Sequence, residues 1–257
     1  MERSDWMYSF QDKVVFVTGS SSGIGKSIVL GFSELGASVI VHGNRNIIEA
    51  EKLVEQINEK GNKALLVTGD VTDAQQINEM VAKIDQEFGR VDVLVNNAGS
   101  MVQRSKIEDM DEELWDRIFN VNVKSAFLVT KAVLPLMKKQ AKGKIINVTS
   151  IAARNGGGGG AVAYASAKGA LSTFTRGLAK ELIEDHIYVN GIAPGFIGTP
   201  FHSNTSEEMK KNMEKQIPMK RVGAPEEMVG AILFLASDAA SYITGEVIEV
   251  NGGLLMD

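Results

Sequence analysis

Tyr164 and Lys168 stand four residues apart in Tyr164-Ala165-Ser166-Ala167-Lys168. The segment behind them, Gly169 to Leu182, reads as helix. If that helix begins at or before Tyr164, the phenol and the ammonium share one face. A phenol ionises at about 10 in water. A neighbouring cation favours the phenolate and lowers that value. Such a pair is expected to exchange a proton with a carbonyl or alcohol oxygen near neutral pH. A Tyr and a Lys at this spacing also arise by chance, so the residues around them carry the weight.

A second group lies near the start of the chain. The run Val14-Val15-Phe16-Val17 reads as a buried strand and leads into Thr18-Gly19-Ser20-Ser21-Ser22-Gly23-Ile24-Gly25, then a helix to Leu35. Glycines at a strand-to-helix turn allow a tight bend and close approach of backbone to a pyrophosphate. The helix start offers unpaired N–H groups and a positive dipole end. This context predicts a dinucleotide cradle built from Gly19, Ser21, Ser22, Gly23, Ile24 and Gly25.

Both groups need a scaffold, and the chain supplies one by alternation. Apolar runs at Ser38–Val41, Ala64–Val67, Val91–Val95, Lys144–Val148, Ile187–Ile192 and Val247–Val250 alternate with helical patterns such as Ile47–Glu59 and Asp73–Phe88. Continuous apolar runs suit parallel strands buried on both faces. The pattern predicts a Rossmann-type, doubly wound α/β sheet of about seven parallel strands, with helices on both faces. No linker or repeat divides residues 1–257, so one domain is expected. Gly156 to Gly160, five glycines in a row, read as a flexible loop. The strand Lys144–Val148 delivers Ser150 to the sheet edge where ligands bind in such folds. A Ser hydroxyl there could hold a carbonyl oxygen against the phenol.

Composition narrows the classes. Hydrophobic content of 44% and charged content of 23% are ordinary for a soluble globular protein. The net charge of −5, with no Lys/Arg block, gives no nucleic-acid footprint. There is no cysteine, and His42, His186 and His202 lack ligand spacing, so no metal site is expected. No apolar run reaches membrane-spanning length, and the first twelve residues lack the features of a targeting peptide. The expected setting is cytoplasmic, with no membrane partner.

With these motifs in order, the chain from Lys13 to Gly253 resembles the short-chain dehydrogenase/reductase family, single-domain type. The resemblance rests on Gly-x3-Gly-x-Gly, Asp70-Val71, Asn96-Asn97-Ala98-Gly99, Asn122, Ser150, Tyr164 with Lys168, and Pro194-Gly195. It implies hydride transfer with a nicotinamide cofactor, Ser150, Tyr164, Lys168 and Asn122 forming the catalytic group. Asn120 is a rival to Asn122, and Thr149 a rival to Ser150. The resemblance also implies that Asp70 and Val71 lie at the adenine and Asn97, Ala98 and Gly99 in the cofactor site. Tyr164 and Lys168 would touch the cofactor, with Pro194, Gly195, Ile197 and Thr199 covering the nicotinamide. Residues 199–218 resemble a substrate lid.

The second strand ends His42-Gly43-Asn44-Arg45, with no acid before Glu49. Gly43 stands about where NAD-preferring relatives carry Asp. Arg45, with Asn44 and His42 beside it, could pair with a 2′-phosphate, so NADP(H) is preferred over NAD(H). Candidate substrate-facing residues are Gln103, Ala152, Asn155, Phe196 and His202, a modestly polar set suited to a sugar, polyol or keto acid. The alternative substrate is a 3-oxoacyl group on an acyl carrier protein, docked by Lys138, Lys139, Lys142 and Lys144. A non-catalytic dinucleotide sensor would show a broken Ser/Tyr/Lys set, and here the set is intact. Enoyl reductases of the family space Tyr and Lys more widely. The tail Tyr242–Gly253 resembles the segment used in family tetramers, so a homotetramer is expected.

Overall fold

The computed structural model describes residues 8–202 and 207–256. Seven parallel strands form one sheet in the order β3-β2-β1-β4-β5-β6-β7. They are β1 (Val14–Val17), β2 (Ser38–Gly43), β3 (Ala64–Thr68), β4 (Val93–Asn96), β5 (Gly143–Val148), β6 (Ile187–Pro194) and β7 (Val247–Val250). The expected Rossmann-type α/β sheet is what forms. Strand order reverses at β1, which pairs β2 on one side and β4 on the other. A crevice opens at the carboxyl ends of strands at such a switch point.

The period of two along β1 assigns the layers. Val15 and Val17 face one core, with Ile28 and Phe32 of α1 (Gly23–Glu34), Leu53 and Ile57 of α2 (Ile47–Glu59) and Ile232 further along the chain. Val14 and Phe16 face the other core. There they meet Ile77, Met80 and Ile84 of α3 (Ala74–Phe88), as well as Val133 and Met137. All four β1 side chains are buried, so a continuous apolar run is what this strand requires. Asp73 caps α3 by accepting from the Gln75 and Gln76 amides, and Gly89 ends it in the left-handed region.

The remaining described α-helices are α4 (Glu112–Phe119), α5 (Ser125–Gln140), α6 (Ala152–Asn155), α7 (Val162–Glu181), α8 (Glu207–Gln216) and α9 (Val229–Ala236). Residues of α4, α6, α7 and α8 reach the crevice. Between α4 and α5 the chain continues as a π-helical stretch, Asn120–Lys124. Helix α7 starts two residues before Tyr164, which meets the condition for the Tyr–Lys pair. No described helix is long and apolar enough to cross a membrane.

Candidate active site

The carboxyl ends of the strands open into a cavity of about 1110 Å³. One end is the glycine loop. Gly19 and Gly23 both have positive φ, at 63° and 54°. A Cβ on Gly25 would lie 2.5 Å from the Gly19 carbonyl oxygen and 2.6 Å from Asn97 Nδ2, so the loop closes only with no side chain at that position. Asn97 straps it by donating to the carbonyls of Thr18 and Gly19. Ser22 makes no side-chain cap and the first turn of α1 holds no acid. The positive end of α1 thus faces the cavity without a resident anion, as a pyrophosphate cradle requires.

His42 holds this loop from below, which was not foreseen. The Gly19 amide donates to its Nδ1 at 2.8 Å, and its Nε2 lies 2.9 Å from the Gly69 carbonyl. An amide can only donate and a carbonyl only accept, so the ring is neutral with its proton on Nε2. Burial pushes its pKa down from the ordinary value. His42 therefore lines the cavity floor and brings no charge to a phosphate, contrary to its expected place beside Arg45. Asn44 and Arg45 are exposed at the lip, and Glu49 beyond them is paired with Lys52. Asp70 Oδ1 is held by the Thr72 amide and hydroxyl, which fixes the carboxylate on the lining beside Val71.

The other end holds the Ser, Tyr and Lys singled out in the sequence. Ser150, Tyr164 and Lys168 all line the cavity, and the Ser150 hydroxyl accepts from the Ala152 amide. Thr149 spends its hydroxyl on the Ile192 carbonyl at 2.9 Å, which removes it as a rival. Lys168 Nζ donates to the Val148 carbonyl at 2.8 Å and sits 5.8 Å from the Tyr164 ring centroid. Asn122 lies beneath, 1% exposed and off the lining. Its amide donates to the Ser100 and Ile118 carbonyls and its Oδ1 accepts from the Ser100 amide. A Cβ on Gly99 would meet Asn122 Oδ1 at 2.8 Å and Lys168 Nζ at 3.0 Å. Gly99 is therefore the gap that lets those two groups approach. Asn120 stays on the lining, one π-helical step away.

The electrostatics differ from expectation. Tyr164 was expected to ionise more easily beside a cation. Burial instead pushes its pKa up to about 12, with the nearby Ser150 hydroxyl opposing. Burial also pushes Lys168 down to about 8. The same desolvation acts on both groups and favours their neutral forms.

Residues 19–255 match the family model described as enoyl-(acyl carrier protein) reductase. A 3-oxoacyl-[acyl-carrier-protein] reductase from Thermotoga maritima is 42% identical over 246 residues, 96% of this chain and 99% of the relative. The chain belongs to the short-chain dehydrogenase/reductase family. As in that family generally, it is an oxidoreductase of CH–OH and keto groups. Two solved structures of the family superpose closely. A candidate gluconate dehydrogenase from Agrobacterium tumefaciens has a TM-score of 0.92 at 30% identity, covering 97% of this chain and 98% of that one. A gluconate 5-dehydrogenase from Burkholderia cenocepacia, in complex with NADP and tartrate, has a TM-score of 0.90 at 29% identity, covering 96% of each chain.

Most expected lining residues of this short-chain dehydrogenase/reductase do converge on the cavity, including Ala98, Gly99, Pro194, Gly195, Ile197, Thr199, Ala152, Asn155 and Phe196. Gln103 does not: it is exposed and off the lining, and its neighbour Arg104 takes that place. His202 ends a short turn, Pro200–His202, and its side chain lies outside the described residues. Of the 199–218 segment, residues 203–206 also lie outside them, while Met213 and Gln216 of α8 line the cavity. Leu254 and Leu255 close it from the tail, with no local motif to announce them. The lysines expected as a carrier dock are elsewhere. Lys142 and Lys144 stand at the start of β5, the opposite edge of the sheet from the cavity. Lys144 is buried with its ammonium over the Tyr188 ring, while Lys138 and Lys142 pair with Asp185 and Asp238.

Proposed function

We propose that the chain, acting as one catalytic domain, is an NADP(H)-preferring enzyme, with NAD(H) as the weaker cofactor. Its substrate is a small hydroxylated carbonyl or alcohol such as a sugar, polyol or keto acid. The observation that carries this reading is the placement of Ser150, Tyr164 and Lys168 on the cavity that also holds the glycine cradle. The residues fit a dinucleotide: a loop that leaves no room for a Cβ at Gly25, an uncapped helix start and, among the described residues, a lip at Asn44–Asn46 with Arg45 and no carboxylate. Bound nicotinamide would supply or take the hydride.

The chain's own groups then have distinct tasks. Ser150 donates to the substrate oxygen and holds it at the phenol. Tyr164 gives its proton to that oxygen in reduction and receives it in oxidation. A phenol at about 12 is a weak donor on its own, so the charge growing on the substrate oxygen must draw the proton across. Lys168, held by the Val148 carbonyl, would meet the nicotinamide ribose, with Asn122 behind it on a proton path. Gly19, Ser21, Ser22, Gly23, Ile24 and Gly25 would hold the pyrophosphate. Asp70 and Val71 would meet the adenine, Asn44 and Arg45 the 2′-phosphate, and Asn97, Ala98 and Gly99 the adjoining ribose. Pro194, Gly195, Ile197 and Thr199 would cover the nicotinamide, and α8 would close as a lid. The half-buried edge strand β7 and the fully exposed Tyr242 support assembly into a homotetramer.

The 42% identity to a 3-oxoacyl-[acyl-carrier-protein] reductase favours a second reading, reduction of a 3-oxoacyl thioester. The missing lysine dock counts against it. A carbonyl and alcohol panel run with NADPH and NADH tests both. Turnover of small hydroxylated compounds above carrier-linked 3-oxoacyl thioester supports the first reading, and the reverse order overturns it.

A further inference from the structure

The segment between Gly99 and α4 contains a strained turn. Val102 has φ of 59°, a left-handed value that a β-branched residue rarely takes. The Gln103 amide donates to the Met101 carbonyl at 2.7 Å, closing a three-residue turn around it. Strain of this kind persists where the surroundings enforce it, and it gathers at functional sites. Its result here is specific: both Gln103 and Arg104 are exposed, but Gln103 lies off the cavity lining and Arg104 takes a place on it.

The five-glycine loop receives that arginine. Arg104 Nη1 donates to the Gly159 carbonyl at 3.0 Å, and the Ser105 amide donates to the Gly160 carbonyl at 3.0 Å. Gly160 has φ of 71°, and a Cβ there would lie 3.1 Å from Ser105 N and 3.3 Å from Arg104 Cβ. A Cβ on Gly158 would stand 3.7 Å from Nη1. The loop that precedes Tyr164 is thus bare backbone laid against Arg104, which tethers the guanidinium by one of its five N–H groups. The charges on the lining point the same way. Among the described lining residues Arg104, Arg117, Arg45 and Lys168 are cationic, and Asp70 is the one acid, its Oδ1 engaged by Thr72 beyond β3.

We infer that Arg104 is the specificity residue of this site and binds a carboxylate on the substrate, so that the enzyme takes hydroxy and keto acids. The tethered guanidinium keeps a planar fork that suits a carboxylate. The inference rests on the small-molecule reading above and narrows it.

The test compares matched pairs: gluconate against sorbitol in oxidation, and acetoacetate against ethyl acetoacetate in reduction. Each is run with wild type, Arg104→Gln and Arg104→Lys. Wild type should favour the acid in at least one pair. Arg104→Gln should raise KM for the acid about 10- to 100-fold, the range for a charge-assisted contact, with a smaller change in kcat. Arg104→Lys should recover part of the loss, because it restores charge without the fork. Added salt should raise KM for the acid in wild type and much less in Arg104→Gln. NADPH affinity, read by its fluorescence, reports whether the glycine loop has collapsed.

Several outcomes overturn the inference. One is a wild type that prefers the neutral partner, and another is an Arg104→Gln that treats both partners as wild type does. A third is an equal loss on acid, neutral partner and NADPH, which marks a purely structural role. Selective loss on a carrier-linked 3-oxoacyl thioester assigns Arg104 to the carrier instead. If wild type binds NADPH and turns over no small substrate, the small-molecule reading itself fails, and this inference with it.

Discussion

His42→Phe isolates a contact that holds the cofactor loop. The phenyl ring keeps the shape of the imidazole but removes an acceptor from the Gly19 amide and a donor from the Gly69 carbonyl. A buried backbone group left without a partner costs about 1–3 kcal/mol; both groups here are half-buried, so the variant should lose at most about 2–6 kcal/mol of stability. Gly19 stands in the proposed pyrophosphate cradle, so its lost bond bears on the order of that loop. If only about 1.4 kcal/mol of that loss falls on loop ordering, the Kd for NADPH rises about tenfold. His42→Asn places an oxygen near the former Nδ1 and should fall between wild type and His42→Phe. The pH dependence has a definite sign. Burial lowers the His42 pKa, while the Gly69 hydrogen bond and the Asp70 charge oppose the shift. The unfolded chain therefore binds a proton first as pH falls. The stability from this group is complete above about 6.5 and is lost progressively below it. Wild type should lose NADPH affinity over that range, and His42→Phe should lack this component. Fluorescence titration and thermal denaturation read both effects. A His42→Phe protein with wild-type Kd and melting temperature would refute the reasoning.

Tyr164→Phe should abolish nearly all turnover while NADPH still binds, and wild-type turnover in this variant would remove Tyr164 from the mechanism. Arg45→Ala should weaken NADPH about tenfold and leave NADH nearly unchanged, since only the former carries the 2′-phosphate; equal losses in a two-cofactor titration would sink that role. Gly25→Ala should lose dinucleotide binding because its Cβ would strike the Gly19 carbonyl and Asn97; calorimetry showing intact binding would contradict the cradle geometry. Lys168 ionises at about 8 when folded against about 10.4 unfolded, so the unfolded chain holds the extra proton between those values and stability should rise with pH across them, by about 3 kcal/mol at most. Denaturant curves from pH 7 to 10 check this, and Lys168→Met should remove the rise. Light scattering should give a tetrameric mass, and a monomer would refute the assembly.

Much of the site was legible because its signals are local. The apolar runs from Val14 to Val250 could be read as strands because burial on both faces leaves no room for polar alternation. The glycine loop was legible because only glycine fits a turn where a Cβ would meet backbone at 2.5 Å. Tyr164 and Lys168 were legible because helix geometry turns a spacing of four into a shared face.

What the sequence concealed is what depends on packing between distant segments. The neutrality of His42 comes from Gly19 and Gly69, which approach it from two other loops. The upward shift at Tyr164 comes from burial, and a spacing of four says nothing about solvent. Lys144 looked like a surface charge among other lysines, until strand order placed it inside, at the far edge of the sheet. Arg104 displaced Gln103 because a strained turn at Val102 and the bare loop of Gly156–Gly160 meet in space. The residue types and their order thus determined a nicotinamide-type α/β enzyme with a Ser, a Tyr and a Lys at its centre. Tertiary structure alone decided which charges survive burial and which side chains line the cavity. Desolvation and side-chain direction depend on the neighbours that folding brings, and those neighbours lie far away along the chain.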